Sequence, residues 1–174
     1  MEYYIAQIFG ACALVTCFLS YQKTKKKDFL VIQFITNIFY MLQYLILKAY
    51  SGCYASVVSF IKNICFYNLE KRNKKISLGI LIMFEIAFFI GGVLTYDEIY
   101  SLIPIFIHSV YTFGTWLKDL RITYTIGICS SVLWIVYGFI VGTYVSIIAS
   151  VVELIASILG LKKLLIKKEE ENKC

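Results

Sequence analysis

Proline and charge are the scarce commodities of this chain. One proline occurs in 174 residues, and charged residues make up 16% against 60% hydrophobic. A soluble domain of this size needs far more charge to cover its surface, so a soluble globular fold is excluded. H-E-x-x-H, G-x-S-x-G and any carboxylate pair at catalytic spacing are missing as well, so no enzyme is expected. Six cysteines are present, but Cys12, Cys17, Cys65 and Cys129 lie within apolar segments, Cys174 ends the chain, and Cys53 alone falls near the outer face of the topology below. Neither a disulfide framework nor a metal-ligand spacing follows, and no cofactor is expected.

What the chain has in quantity is apolar sequence. A helix that crosses a bilayer needs about 20 apolar residues. Charged clusters cut this chain into seven such stretches: 3–21, 29–47, 53–69, 76–95, 99–117, 122–141 and 145–164. The expected fold is therefore an all-α membrane protein of seven transmembrane helices, with the lipid bilayer as its surroundings. Little sequence remains for loops or a second domain, and the tail "KKEEENKC" is too short to fold alone.

The net charge of +6 is explained by topology and not by nucleic acid, which is not expected as a partner. Lys23, Lys25, Lys26 and Lys27 follow the first stretch; Lys71, Arg72, Lys74 and Lys75 the third; Lys118 and Arg121 the fifth; five lysines lie in or near the tail. Fifteen of the seventeen basic residues thus share one side of a seven-span topology, with Lys48 opposite and Lys62 inside a span. The positive-inside bias places the N-terminus outside and the C-terminus in the cytoplasm. Glu2 precedes the first apolar stretch and the lysines follow it, the reverse of a signal peptide, so this stretch is expected to be retained. Tyr3, Tyr4, Tyr50, Tyr54, Tyr96, Tyr100 and Tyr144 cluster at outer ends of spans, and Tyr21, Tyr67, Trp116 and Tyr124 at inner ends, as aromatic belts.

The chain also repeats itself. "ASVVSFIKN" (Ala55–Asn63) returns as "ASVVELIAS" (Ala149–Ser157), an offset of 149 − 55 = 94 residues. At the same offset Ile5 meets Ile99, Ile32 meets Ile126, Tyr40 meets Trp134 and Tyr50 meets Tyr144. Spans one to three map onto spans five to seven, and the fourth has no partner. Equivalent positions are four crossings apart, so both copies run in the same direction. This divides the chain into a three-helix repeat (1–69), a linker helix (70–97), a second three-helix repeat (98–165) and a short cytoplasmic tail (166–174). Parallel repeats with a midplane site between them are a recurring plan of secondary transporters.

Polar residues inside the spans are few. Gln33, Asn37, Tyr40 and Tyr44 share one face of the second span, and their repeat partners are Gly127, Ser131, Trp134 and Gly138. Two readings stay open: a cleft walled by Tyr40 and Trp134, or close helix packing through small and amide side chains. Lys62 and Glu153 fall mid-span, where an ionised side chain costs about 2.5 to 3.5 kcal/mol on insertion scales. The repeat partner of Lys62 is Ala156, one turn from Glu153, so the two charges are expected to meet as an ion pair across the pseudo-twofold axis, unless Lys62 snorkels toward the lysine-rich loops. Glu85 in the linker helix and His108 in the fifth span are candidates for a proton relay, against the plainer role of packing.

The order of three helices, a linker and three more resembles the SWEET and PQ-loop superfamily. More narrowly, "YYIAQIFG", "KTKKKDF", "IPIFIHSVYTFGTW", "KDLR", "VLW" and "GTY" resemble the bacterial inner-membrane family YgjV. The resemblance implies a SWEET-like fold in the bacterial cytoplasmic membrane. It also implies proline hinges; Pro104 is the one proline here, no Pro-Gln dipeptide occurs, and Gly10 (104 − 10 = 94) takes the equivalent position in the first repeat. Asn63 matches the third-helix position where SWEET-type carriers bind substrate, while its seventh-helix counterpart is Ser157.

The leading expectation is thus a facilitator or proton-coupled carrier of a small polar metabolite, with Asn37, Tyr40, Lys62, Asn63, Trp134 and Glu153 as substrate-binding residues. Lys62 suggests an anionic ligand group; if Glu153 neutralises it, a neutral ring-bearing molecule stacked between Tyr40 and Trp134 fits equally well. The alternative is a non-transporting membrane scaffold or regulatory subunit. Association into a homo-oligomer is left open.

Overall fold

A computed structural model describes residues 2–47, 50–94, 96, 102–117, 119–141 and 144–171. Lys48, Tyr100, Lys118 and Cys174, and the side chains of Tyr50, Pro104 and Tyr144, fall outside the described residues. Seven helices follow one another: α1 (Glu2–Tyr21), α2 (Lys26–Ile46), α3 (Tyr50–Lys71), α4 (Leu78–Leu94), α5 (Leu102–Trp116), α6 (Leu120–Val141) and α7 (Tyr144–Glu171). No strand occurs among the described residues. Each helix packs on its neighbours in sequence and α1 packs on α7, so the bundle closes into a ring. α2 lies between α1 and α3, and α6 between α5 and α7, while α4 bridges α3 to α5.

The bundle is built inside out compared with a soluble protein. Its interior holds Ser20, Gln33, Thr36, Lys62, Asn63, Thr112 and Ser157, all buried. Its exterior carries Ile8, Val15, Leu45, Ile82, Phe89, Phe106, Phe139 and Ile148, all exposed. Apolar surface on this scale is stable only against lipid. By length and hydropathy α1 and α2 can each cross a bilayer; α4 and the Leu120–Val136 part of α6 are shorter apolar helices.

With no hydrophobic force between helices in lipid, close approach depends on small residues. On α7, a Cβ at Gly160 would overlap the main-chain oxygen of Tyr21 and reach within 2.8 Å of the Tyr124 ring, so glycine is what lets α1 lie against α7. On α4, Gly91 receives the ring of Tyr54 from α3 and Gly92 receives Ile105 from α5. Tyr54, expected in an outer aromatic belt, also donates its hydroxyl to the Ala87 carbonyl at 2.9 Å.

One end of the ring is tightly closed. Here the α1–α2, α3–α4 and α5–α6 connections and the lysines of α7 gather. Tyr21, Phe29 and Tyr124, all fully buried, meet pairwise with ring centroids 5.2 to 5.8 Å apart. Tyr124 donates to Lys23 O at 2.6 Å, Trp116 Nε1 to Ile76 O at 2.8 Å, and Lys163 Nζ to Gln22 O at 3.1 Å. Lys26 is buried and its Nζ donates to Leu117 O, a role beyond the topology signal read from the sequence. α3 ends in a Schellman turn: Asn73 has φ 52°, Lys74 N bonds Leu69 O and Asn73 N bonds Glu70 O. Asp119 caps α6, accepting from the Arg121 amide at 3.0 Å and pairing with its guanidinium.

Toward the other end the packing loosens. The buried residues of α2 stop at Thr36 and those of α6 at Ser131; the described residues beyond them are half-buried or exposed.

α7 runs on through the Lys162–Lys168 stretch to Glu171, carried by good helix formers. Neither expected hinge position interrupts its helix. Gly10 lies inside unbroken α1 with the Gln43 side chain over it, and Pro104 lies in the first turn of α5, where its missing N–H costs no helical hydrogen bond.

Two predictions follow from this packing. Gly160→Val should destabilise the detergent-solubilised protein by about 1 to 3 kcal/mol, read as a lower melting midpoint, because the Tyr21 main chain cannot yield. The Arg121 guanidinium beside Asp119 holds its carboxyl below the usual range. A group depressed on folding contributes above its unfolded pKa and loses that contribution as pH falls through the folded value. The stability gap between wild type and Asp119→Ala should therefore stay constant from neutrality to roughly pH 4 and close only below it.

Candidate functional site

Four helices send hydrogen-bonding side chains into the middle of the ring. Gln33 (α2) donates from Nε2 to Ser20 Oγ at 2.9 Å and to Tyr111 Oη (α5) at 3.3 Å. The Tyr111 and Tyr21 hydroxyls are 3.1 Å apart, and Tyr21 (α1) donates to Glu153 Oε1 (α7) at 2.9 Å. One ordering of protons satisfies every group: the amide donates to Tyr111, Tyr111 to Tyr21, and Tyr21 to the carboxylate. The donors all point toward Glu153, and such a chain polarises each of its bonds in turn. Ser20 closes its own end by donating to Cys17 O at 2.6 Å. Gly127 on α6 makes the room: a Cβ there would come within 2.9 Å of Tyr21 Oη and 3.0 Å of Ser157 Oγ.

Beside this chain lies a second group. Lys62 (α3) is 2% exposed, its Nζ 3.4 Å from Thr112 Oγ1 and over the rings of Tyr111 and Phe88 at 5.6 and 5.9 Å. Cation–π contact with two rings compensates a buried ammonium without a direct counter-ion. Glu85 on α4 accepts a hydrogen bond from Ser109 Oγ. His108 stacks on Phe88 at 5.3 Å and 6°, and meets Trp134 edge-on at 6.2 Å and 81°.

The expected ion pair is not formed. Glu153 takes its hydrogen bond from Tyr21, Lys62 is held by rings and a threonine, and Tyr111 stands between the two networks. Lys62 does not snorkel either, being fully enclosed. The Glu85–His108 relay is not joined directly: Ser109 is the partner of Glu85, and His108 makes ring contacts. Tyr40 stacks on Tyr44 of its own helix at 6.0 Å and 17°, and Trp134 takes the edge of His108, so each proposed wall has its own aromatic neighbour. Asn37 is half-buried one turn beyond Gln33. Asn63 is 3% exposed, and its Oδ1 has no hydrogen-bond partner; the same is true of Oγ of fully buried Ser157, 94 residues on.

Sequence reasoning assigned Tyr21 to the inner belt and passed over Tyr111. Both are central, and the only available signal was the depth of Tyr111 within its predicted span. An interior of hydroxyls, amides and two charges inside an exterior of Ile, Leu, Val and Phe is a membrane protein's construction. Comparison with known families agrees: a family model described as a bacterial inner membrane protein, Imp-YgjV, matches residues 4–168. The chain belongs to this family. A place in the bacterial cytoplasmic membrane follows from it. No curated protein and no solved structure matches the chain.

If the hydroxyl chain is one cooperative unit, Tyr21→Phe should cost about 1 to 3 kcal/mol by stripping the half-buried Glu153 carboxylate of its donor. Tyr111→Phe should cost less. The double variant should cost less than the sum of the two, because Tyr111 acts through Tyr21. Unfolding of the four proteins in detergent measures the coupling.

Proposed function

We propose that this chain is a carrier for a small polar solute, working by alternating access between residues 1–69 and 98–165 around the linker 70–97. The observation that supports it most is the hydroxyl chain. It draws residues from both halves to a carboxylate in the middle of the bundle, and an intramembrane ionisable group is costly enough that a function is the usual reason for keeping one. The 94-residue offset, and the matching placement of α2 and α6 between their neighbours, support a duplicated, SWEET-like 3+1+3 arrangement.

With the lysine-rich end in the cytoplasm, the Tyr21, Phe29 and Tyr124 cluster is an inner closure, and the looser half of α2 and α6 faces outward. The orphaned Asn63 Oδ1 and Ser157 Oγ, at equivalent positions of the two halves, are acceptors that a solute or its water can satisfy. In this reading the protein is a transporter and not an enzyme, and the solute is its partner.

A second reading is a non-transporting scaffold, favoured by the unbroken courses of α1 and α5 at Gly10 and Pro104. Counterflow of a panel of polar solutes in proteoliposomes separates the two. The carrier reading expects saturable exchange of at least one solute, abolished by Glu153→Ala and reduced by Lys62→Ala. Absence of exchange across the panel, with a stoichiometric partner retained on purification from native membrane, would decide for the scaffold.

A further inference from the structure

Of the charged side chains at mid-bundle, Lys62 is fully engaged and Glu153 is not. Lys62 is enclosed by Thr112, Phe88 and Tyr111, and 2% of it is exposed. It cannot present its ammonium to a solute without leaving that cage. Glu153 is only half-buried. One of its oxygens accepts from Tyr21, and the other carries no hydrogen bond. No lysine, arginine or histidine among the described residues pairs with it; the ion pair found among them is Arg121–Asp119. Tyr21 from α1 contacts its carboxylate at 2.9 Å, and Tyr111 from α5 stands 3.1 Å behind the Tyr21 hydroxyl. Its hydrogen bond from α1, with Tyr111 of α5 behind Tyr21, turns the carboxylate toward the interior of the ring.

Two further buried side chains have an atom without a hydrogen-bond partner. Ser157, one turn beyond Glu153 on α7 and fully buried, has an unbonded Oγ on the Tyr21 side of Gly127. On α3 the unpartnered atom of Asn63 is its carboxamide oxygen. A free carboxylate oxygen and a free amide oxygen both lack a donor. Tyrosine rings beside a carboxylate favour a cation through their π faces. An anionic solute would meet the carboxylate with nothing to offset it, and a neutral polyol would leave the charge uncompensated in a low-dielectric site.

We propose that the solute carries a protonated amine and that Glu153 holds it, with Tyr21 fixing the carboxylate's orientation. This rests on the carrier reading and narrows its substrate class to small organic ammonium compounds. It also reverses the expectation drawn from Lys62 of an anionic ligand.

The test is binding to the purified full-length protein in detergent, read as a thermal shift at constant ionic strength. The probes are methylammonium chloride, ethanolammonium chloride, sodium acetate and glycerol. Both ammonium compounds should stabilise saturably, and acetate and glycerol should not. Glu153→Gln keeps the acceptor for Tyr21 but removes the charge, and should weaken ammonium binding by about tenfold or more. If Glu153→Gln does not fold, Glu153→Asp shortens the reach by one methylene, and should weaken ammonium binding while keeping its preference over acetate. The proposal is overturned if acetate binds in place of ammonium, if neither ammonium compound binds saturably, or if the Glu153 variants bind ammonium like wild type. Saturable ammonium binding without any counterflow would sink the carrier reading and keep this one; counterflow confined to anions would do the opposite.

Discussion

Helices with apolar outer faces gain nothing by leaving lipid for one another, because acyl chains are as apolar as leucine. Cohesion in this protein therefore depends on what the helices exchange inside: hydrogen bonds between buried polar groups, and backbone proximity where glycine removes a side chain. The hydroxyl chain from Gln33 to Glu153 supplies the first and ties α1, α2, α5 and α7 together at a single level. Gly160, Gly127 and the α4 glycine pair supply the second. These contacts are sparse, so each carries more of the structure than any one contact in a soluble core.

The sparseness also explains the uneven packing along the ring. At the lysine-rich end the aromatic cluster and the side-chain bonds to loop carbonyls add to the glycine contacts. Past Thr36 and Ser131 the described residues of α2 and α6 are half-buried or exposed, and contact at that end comes from the α4 glycines and from Tyr54 on the Ala87 carbonyl.

Much of the fold was legible because hydropathy and helix length are properties of consecutive residues. All seven predicted spans correspond to helices, with ends shifted by a few residues; α7 is the exception, since helix propensity and not hydropathy sets where it stops. The site was legible by residue type but not by partnership. Lys62 and Glu153 stand out in any reading of the sequence, yet repeat arithmetic paired them with each other, because it gives depth and not azimuth. The depth was the same; the intervening Tyr111 and the cage around Lys62 depend on rotation about the helix axes. Tyr21 looked like an anchor because tyrosines near span ends usually are, and only the glycine at 127 lets its hydroxyl turn inward.

The adjacent glycines of α4 have a mechanical corollary. Gly91 seats an aromatic ring from α3, Gly92 an aliphatic side chain from α5, and the two seats lie a single residue apart. α4 is thereby gripped by both flanking helices at one height. Any shift of α3 or α5 against α4 must therefore disturb both seats at once, so the two flanking helices are mechanically linked through α4.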